Sequence, residues 1–184
     1  MKQLLMACLL LAATLTVQAQ SKYITKTGRI EFLSKAPLED IEAQNKTAAA
    51  LLDTKTGDVQ FSVLMKAFQF PKALMQEHFN SNYVESNKYP TADFKGTITN
   101  NADIRYTKDG TYTAKVKGTL TIHGVSKNIV SDATLKVNNG KIDANTVFSI
   151  LLSDYKITRS GSVKDKLSNT ITITVTTSLE PLKG

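Results

Sequence analysis

Apolar and polar residues alternate with a period of two along most of this chain, the pattern of strands with one buried face. Val59, Phe61, Val63 and Met65 share one phase of their run, and Ala92, Phe94, Gly96 and Ile98 share one phase of the next. The longest register holds Tyr112, Ala114, Val116, Gly118, Leu120 and Ile122. Ile129, Ala133, Leu135 and Val137 follow, then Ile142, Ala144, Phe148 and Ile150, then Ile171, Ile173, Val175 and Leu179. Threonines fill many of the opposite positions, where they suit a pleated strand and still meet water. An earlier run opens at "RIEF", residues 29–32, and a weaker one covers 41–52. Polar, glycine-containing loops separate the runs, and Asn139-Gly140 is a strong two-residue hairpin signal. Strands this long fit a barrel better than a sandwich. The pattern predicts an all-β protein: one extended, eight-stranded antiparallel β-barrel.

One stretch departs from the alternation. Residues 71–79, "PKALMQEHF", read as a short helix with Pro71 at its first position and Leu74, Met75, His78 and Phe79 on one face. Lying between two strands, it is placed to cap one end of the barrel.

Residues 1–19 carry the marks of an export signal: Lys2, an uncharged apolar run over 4–15, and Val17-Gln18-Ala19 ahead of the expected cleavage. That run, roughly 12 residues against the ~20 a span requires, is too short for a stable membrane anchor. The chain therefore divides into a signal peptide at 1–19 and a barrel domain at 20–184, expected in a bacterial periplasm, with secretion as the alternative. Cys8 is the only cysteine, so the exported domain has no disulfide, thiol nucleophile or thiolate metal site. The net charge of +7 raises the question of nucleic acid. Only Arg29, Arg105 and Arg159 are arginine among the 23 basic residues, and the lysines are scattered, so none is expected. Transient membrane contact is compatible with this surface, and the oligomeric state stays open, a dimer included.

The residues supply no catalytic constellation. His78 and His123 are the only histidines and show no metal-ligand spacing. No nucleophile elbow or phosphate-binding loop is present, and Glu39-Asp40 reads as a pair of solvated loop acids. No cofactor, no metal and no enzymatic activity are expected. What the chain does offer is a long inward apolar face. Small residues on it, Ala92, Gly96, Ala114 and Gly118, leave space for an apolar cavity, although a core filled by mixed side chains fits the same pattern. A cavity would have Phe61, Val63, Phe94, Val116, Leu120, Phe148 and Ile150 as wall, with Met75 and Phe79 from the helix at one end. Lys156 and Arg159, in the basic loop 155–166, are candidates for an anionic head group. His123 falls on the outward phase of its strand, facing the turn or solvent.

Two stretches resemble the YceI family: "EHFNSNYVESNKYPTADFKGTI", residues 77–98, and "GTLTIHGVSKNI", residues 118–129. Tyr89-Pro90, Phe94-Lys95-Gly96, Gly118, Leu120, Thr121, Gly124, Val125 and Lys127 hold the family's pattern. "SDYKI", 153–157, stands where the family often has Asp-Phe-Gly-Ile, with Tyr155-Lys156 in place of Phe-Gly. The resemblance implies a lipocalin-like barrel in a periplasmic or secreted protein that holds a polyisoprenoid or similar amphiphile. On this reading the chain binds a polyisoprenoid, quinone or fatty amide for transport, storage or stress protection. The alternatives are a filled barrel acting as an interaction or stress-response protein, and a hydrolytic or metal enzyme.

Overall fold

A computed structural model describes residues 21–159 and 165–182. The expected signal peptide lies outside the described residues, as do residues 160–164 of the basic loop. Eight strands close into an antiparallel barrel in sequence order: β1 (Lys22–Lys35), β2 (Asp40–Asp53), β3 (Asp58–Leu64), β4 (Thr91–Ile98), β5 (Gly110–Ile122), β6 (Val125–Asn138), β7 (Lys141–Leu151) and β8 (Thr170–Pro181). β8 pairs with β1 to complete the ring. The weaker apolar run at 41–52 is β2, a full strand.

Because each strand opposes its neighbours, the connections alternate between two ends. The floor holds the loops 54–57 and 99–109, the Asn139-Gly140 turn and the ends of β1 and β8. The roof holds the loop 36–39, the long segment 65–90, the His123-Gly124 turn and the segment 152–169. Both two-residue hairpins have positive φ at each turn residue (Asn139 +49°, Gly140 +74°; His123 +52°, Gly124 +70°), the geometry whose twist matches that of the flanking strands.

The roof segment 65–90 is a 3-10 turn (Met65–Ala67), a helix α1 (Ala73–His78) and a π turn (Phe79–Tyr83). The helix begins two residues later than its sequence suggests, at Ala73, with the extended Lys72 just before it. Leu74 is 61% exposed and does not share the inward face. The inward face is taken by Met75, His78, Phe79 and Tyr83, because the wider π turn rotates the last residues relative to a regular helix.

The core separates into two clusters. The floor cluster includes Leu52, Ile98, Ala114, Leu135, Val137, Ile142 and Leu179, each at most 4% exposed. Ile104 and Tyr106 of the loop 99–109 pack onto it from below. Tyr106 donates to Asn101 Oδ1 (2.7 Å) and Asn101 Nδ2 donates to the Thr54 carbonyl (2.9 Å), so the polar groups of this loop are satisfied as it covers the floor. Burial pushes the Tyr106 phenol up to about 12. The roof cluster has many partly exposed members, including Phe32, Phe94, Phe148 and Ile173.

Candidate ligand-binding cavity

The partly exposed members of the roof cluster face a cavity of about 360 Å³ inside the barrel. This falls within the usual ~300–1,000 Å³ of small-molecule sites. Its wall is almost wholly apolar, and the nine expected residues, seven from the alternation and two from the helical segment, all line it. Phe61 and Val63 come from β3, Phe94 from β4, Val116 and Leu120 from β5, Phe148 and Ile150 from β7, Met75 from α1 and Phe79 from the π turn.

Of the four small residues expected to leave space, Ala92 and Ala114 line the cavity and the two glycines do not. Gly96 and Gly118 stand opposite each other on β4 and β5. They do not face a void, because the Phe94 ring lies over both: a Cβ on either would come 2.5 Å from Phe94 Cζ. The glycines make room for one aromatic ring against the wall. The cavity comes from barrel girth and from a roof that fills little of it.

An aromatic cluster forms one side of the roof. Phe79 lies 5.6 Å from Phe32, 5.5 Å from Phe68 and 5.0 Å from Phe70 between ring centroids, which pins the helical segment to β1. Phe32, Phe68 and Phe70 all line the cavity but were not among the expected wall residues. The alternation "FQF" before Pro71 was the available signal for Phe68 and Phe70, and that of "RIEF" for Phe32.

Charged groups meet the cavity at the roof, but not the ones expected. Lys156 is exposed and off the cavity wall; it stops the turn 152–155 with φ +56°. Arg159 is also off the wall, and its Nη1 donates to the Leu167 carbonyl (2.8 Å). Glu39, His78 and Lys166 line the cavity instead. Glu39 is held by Lys72 (2.7 Å) and is not a free loop acid. Among the described residues, no group of three or more potential metal ligands comes together.

His123 lies in the hairpin turn, as its position suggests, but it does not face solvent. Its side chain is 14% exposed and Nε2 lies 2.7 Å from Glu85 Oε2. Nδ1 lies 3.1 Å from the Tyr155 carbonyl, and Tyr89 meets the ring edge-on at 4.8 Å. This contact joins three roof segments: residues 65–90, the β5–β6 turn and the turn after β7. A Cβ on Gly124 would come 2.5 Å from Tyr89 Cε1, so the close approach of Tyr89 requires glycine there. The two motif stretches thus meet twice, through Tyr89 on His123-Gly124 and through Phe94 over Gly96 and Gly118.

A YceI-like domain matches the sequence from residue 13 to residue 179. The chain belongs to the YceI family. No curated protein matches it. Among solved structures, a polyisoprenoid-binding domain from Saccharophagus degradans, implicated in plant cell wall breakdown, superposes with a TM-score of 0.77 at 14% identity, over 89% of this chain and 99% of that one. BcnA of Burkholderia cenocepacia gives 0.67 at 16% identity, over 83% and 95%. A YceI protein of Campylobacter jejuni gives 0.57 at 23% identity, over 77% and 85%. At these identities the likeness establishes the shared barrel. Among the described residues of this YceI-family chain, no helix is long and apolar enough to cross a membrane.

Proposed function

We propose that this barrel binds the apolar chain of an amphiphile, such as a polyisoprenoid, a quinone tail or a fatty amide, and shields it from water. The observation that carries the proposal is the apolar cavity, sealed at the floor and edged with charge at the roof. Each methylene moved from water into such a wall contributes about 0.8 kcal/mol. A chain of ten or so carbons therefore outweighs the ordering cost of a flexible ligand. The Saccharophagus degradans structure, described as polyisoprenoid-binding, supports the same ligand class.

The reading assigns binding and no catalytic step. The inward hydroxyls of Ser131 and Thr146 lie 2.7 Å apart, and Thr146 donates to the Asp132 carbonyl, so neither hydroxyl is paired with a base. With the leader at residues 1–19, the work belongs in the periplasm, as transport, storage or protection of the chain during stress.

The test is extraction and native mass spectrometry of the protein purified from its own host, followed by melting with added isoprenoids. A co-purified long-chain lipid, or a melting temperature that rises with isoprenoid concentration, supports the reading. A barrel repeatedly free of lipid, with an unmoved melting temperature, refutes it.

A further inference from the structure

We propose that the barrel has a second opening, between β6 and β7, where the acidic head group of a bound amphiphile meets Lys127 while its chain lies in the cavity. The inference rests on the binding function proposed above and adds where the head sits and what charge it carries.

The ladder itself defines the opening. β5 and β6 pair up to the turn, ending at Ile122↔Val125, and β7 and β8 pair up to Leu151↔Thr170. β6 and β7 stop at Ala133↔Thr146. Above that step, residues 125–132 and 147–151 have no strand pairing with each other. The Thr146 hydroxyl takes the Asp132 carbonyl at 2.7 Å, giving the backbone a side-chain partner where the ladder ends. The turn after β7 closes the gap from above, tied to the β5–β6 hairpin by His123 and the Tyr155 carbonyl.

A second early stop shows what a filled seam looks like. β2 and β3 also part, at Ala49↔Ser62. There Gln69 exchanges two backbone hydrogen bonds with Gln44 (3.1 and 2.8 Å), and Asn45 Nδ2 donates to the Leu64 carbonyl (2.9 Å). Among the described residues, no segment does this between β6 and β7.

The side chains around the gap agree with an opening. Ser131, Thr146 and Asn145 line the otherwise apolar cavity at this place, and Asn145 is an exposed residue. Val130 and Val147 flank the gap outside and are 71% and 55% exposed. Lys127 is the most informative. It pairs directly with Leu120, an inward wall residue, so both side chains leave the sheet on the same face. Leu120 is buried, whereas Lys127 is exposed. An inward-phase side chain reaches water over the barrel rim or where the wall beside it is missing, and Lys127 lies in the stretch of β6 that has no pairing with β7. Lys127 forms no ion pair with another described residue. Lys127 is not itself part of the cavity wall, but its side chain leaves the sheet on the face that Leu120 shares, where an ammonium group suits a phosphate or carboxylate whose tail is buried.

The experiment compares three heads on one chain: geranylgeranyl phosphate, geranylgeranoic acid and geranylgeraniol. Affinities are measured for the wild type, Lys127→Glu and Lys166→Ala, the last as the roof control. Wild type is expected to favour the acids. Lys127→Glu should weaken one or both acids about 10-fold, the size of one charge-assisted hydrogen bond, and leave the alcohol within about 2-fold. Which acid responds separates a phosphate head from a carboxylate. Lys166→Ala should keep the preference. Head position is read separately from broadening of the ligand phosphorus signal by a nitroxide at Val130→Cys or Leu38→Cys, in a Cys8→Ser background. Broadening from position 130 and not from 38 supports the opening. Equal affinity for acids and alcohol, an unchanged preference in Lys127→Glu, its loss in Lys166→Ala, or broadening from position 38 overturns this inference while the barrel still binds. A wild type that binds none of the three refutes the binding function along with it.

Discussion

Ile142 and Phe148 sit six residues apart on β7 and point into the same barrel, yet Ile142 is wholly buried and Phe148 faces open space. On β8 both Leu179 and Ile173 line the cavity, the buried Leu179 at its floor and the half-buried Ile173 on its side wall. The alternation is the same at both ends. What differs is the connection that covers it. The loop 99–109 pushes Ile104 and Tyr106 into the floor. The segment 65–90 lays an aromatic cluster across one side of the roof and leaves the centre empty. Inward apolar residues hold the barrel together where neighbours surround them and form a binding wall where they do not.

The sharpest test is one substitution made at both ends. Ile142→Ala should cost about 2–5 kcal/mol, as expected for a fully packed site. Ile173→Ala removes the same atoms from a wall that already borders space and should cost about 1 kcal/mol. Chemical denaturation of the two variants checks this, and equal losses would abolish the distinction between floor and wall.

Gly118→Ala probes the wall where the glycines meet. Its Cβ would stand 2.5 Å from Gly96 Cα, the Lys95 carbonyl and Phe94 Cζ. Two of these are backbone atoms, so the strands must part and the ring must move. A loss of about 1–3 kcal/mol is expected, with a change in the near-ultraviolet signal as Phe94 shifts.

The buried phenols compare the two ends by pH. Burial raises both Tyr106 and Tyr155 to about 12, with the Asp154 carboxylate adding to the effect on Tyr155. A raised phenol favours the folded state below its ordinary value near 10, and this stability is lost as pH climbs toward 12. Melting temperature should fall across that window, less steeply in Tyr106→Phe and Tyr155→Phe. At neutral pH the two variants should separate. Tyr106→Phe loses its bond to Asn101 and should cost about 1 kcal/mol. The Tyr155 hydroxyl is buried with no partner among the described residues, so Tyr155→Phe should be neutral or stabilising.

The smallest effect belongs to Lys156. It holds φ +56°, where glycine is at ease. Lys156→Gly should raise stability by about 0.5–1 kcal/mol, read from the denaturation midpoint, with ligand affinity unchanged because the residue is off the cavity wall.

Much of this was legible in the residues. Period-two alternation placed the strands and the inward phase, and Asn139-Gly140 placed a hairpin. The wall residues could be named because inward direction is local: it follows from the pleat for the seven on strands and from helical spacing for Met75 and Phe79. The rim could not be read in this way. Lys156 and Arg159 sit in the most basic loop, but backbone conformation turns one away and the Leu167 carbonyl holds the other. Lys166, in the same loop, meets the cavity. His123 was placed in its turn by phase, but Glu85 and Tyr155, 38 and 32 residues away, make it a tie across the roof. The glycines were read as space because sequence lists what a position holds, and not which ring leans over it.

The sequence by itself determined a barrel with an apolar interior, since alternation and turn chemistry act between residues close along the chain. Only the tertiary structure decided which part of that interior stays empty, which charges edge it and where the ladder parts between β6 and β7. Those depend on contacts between segments far apart in sequence, whose burial and hydrogen bonds exist only after the barrel has closed.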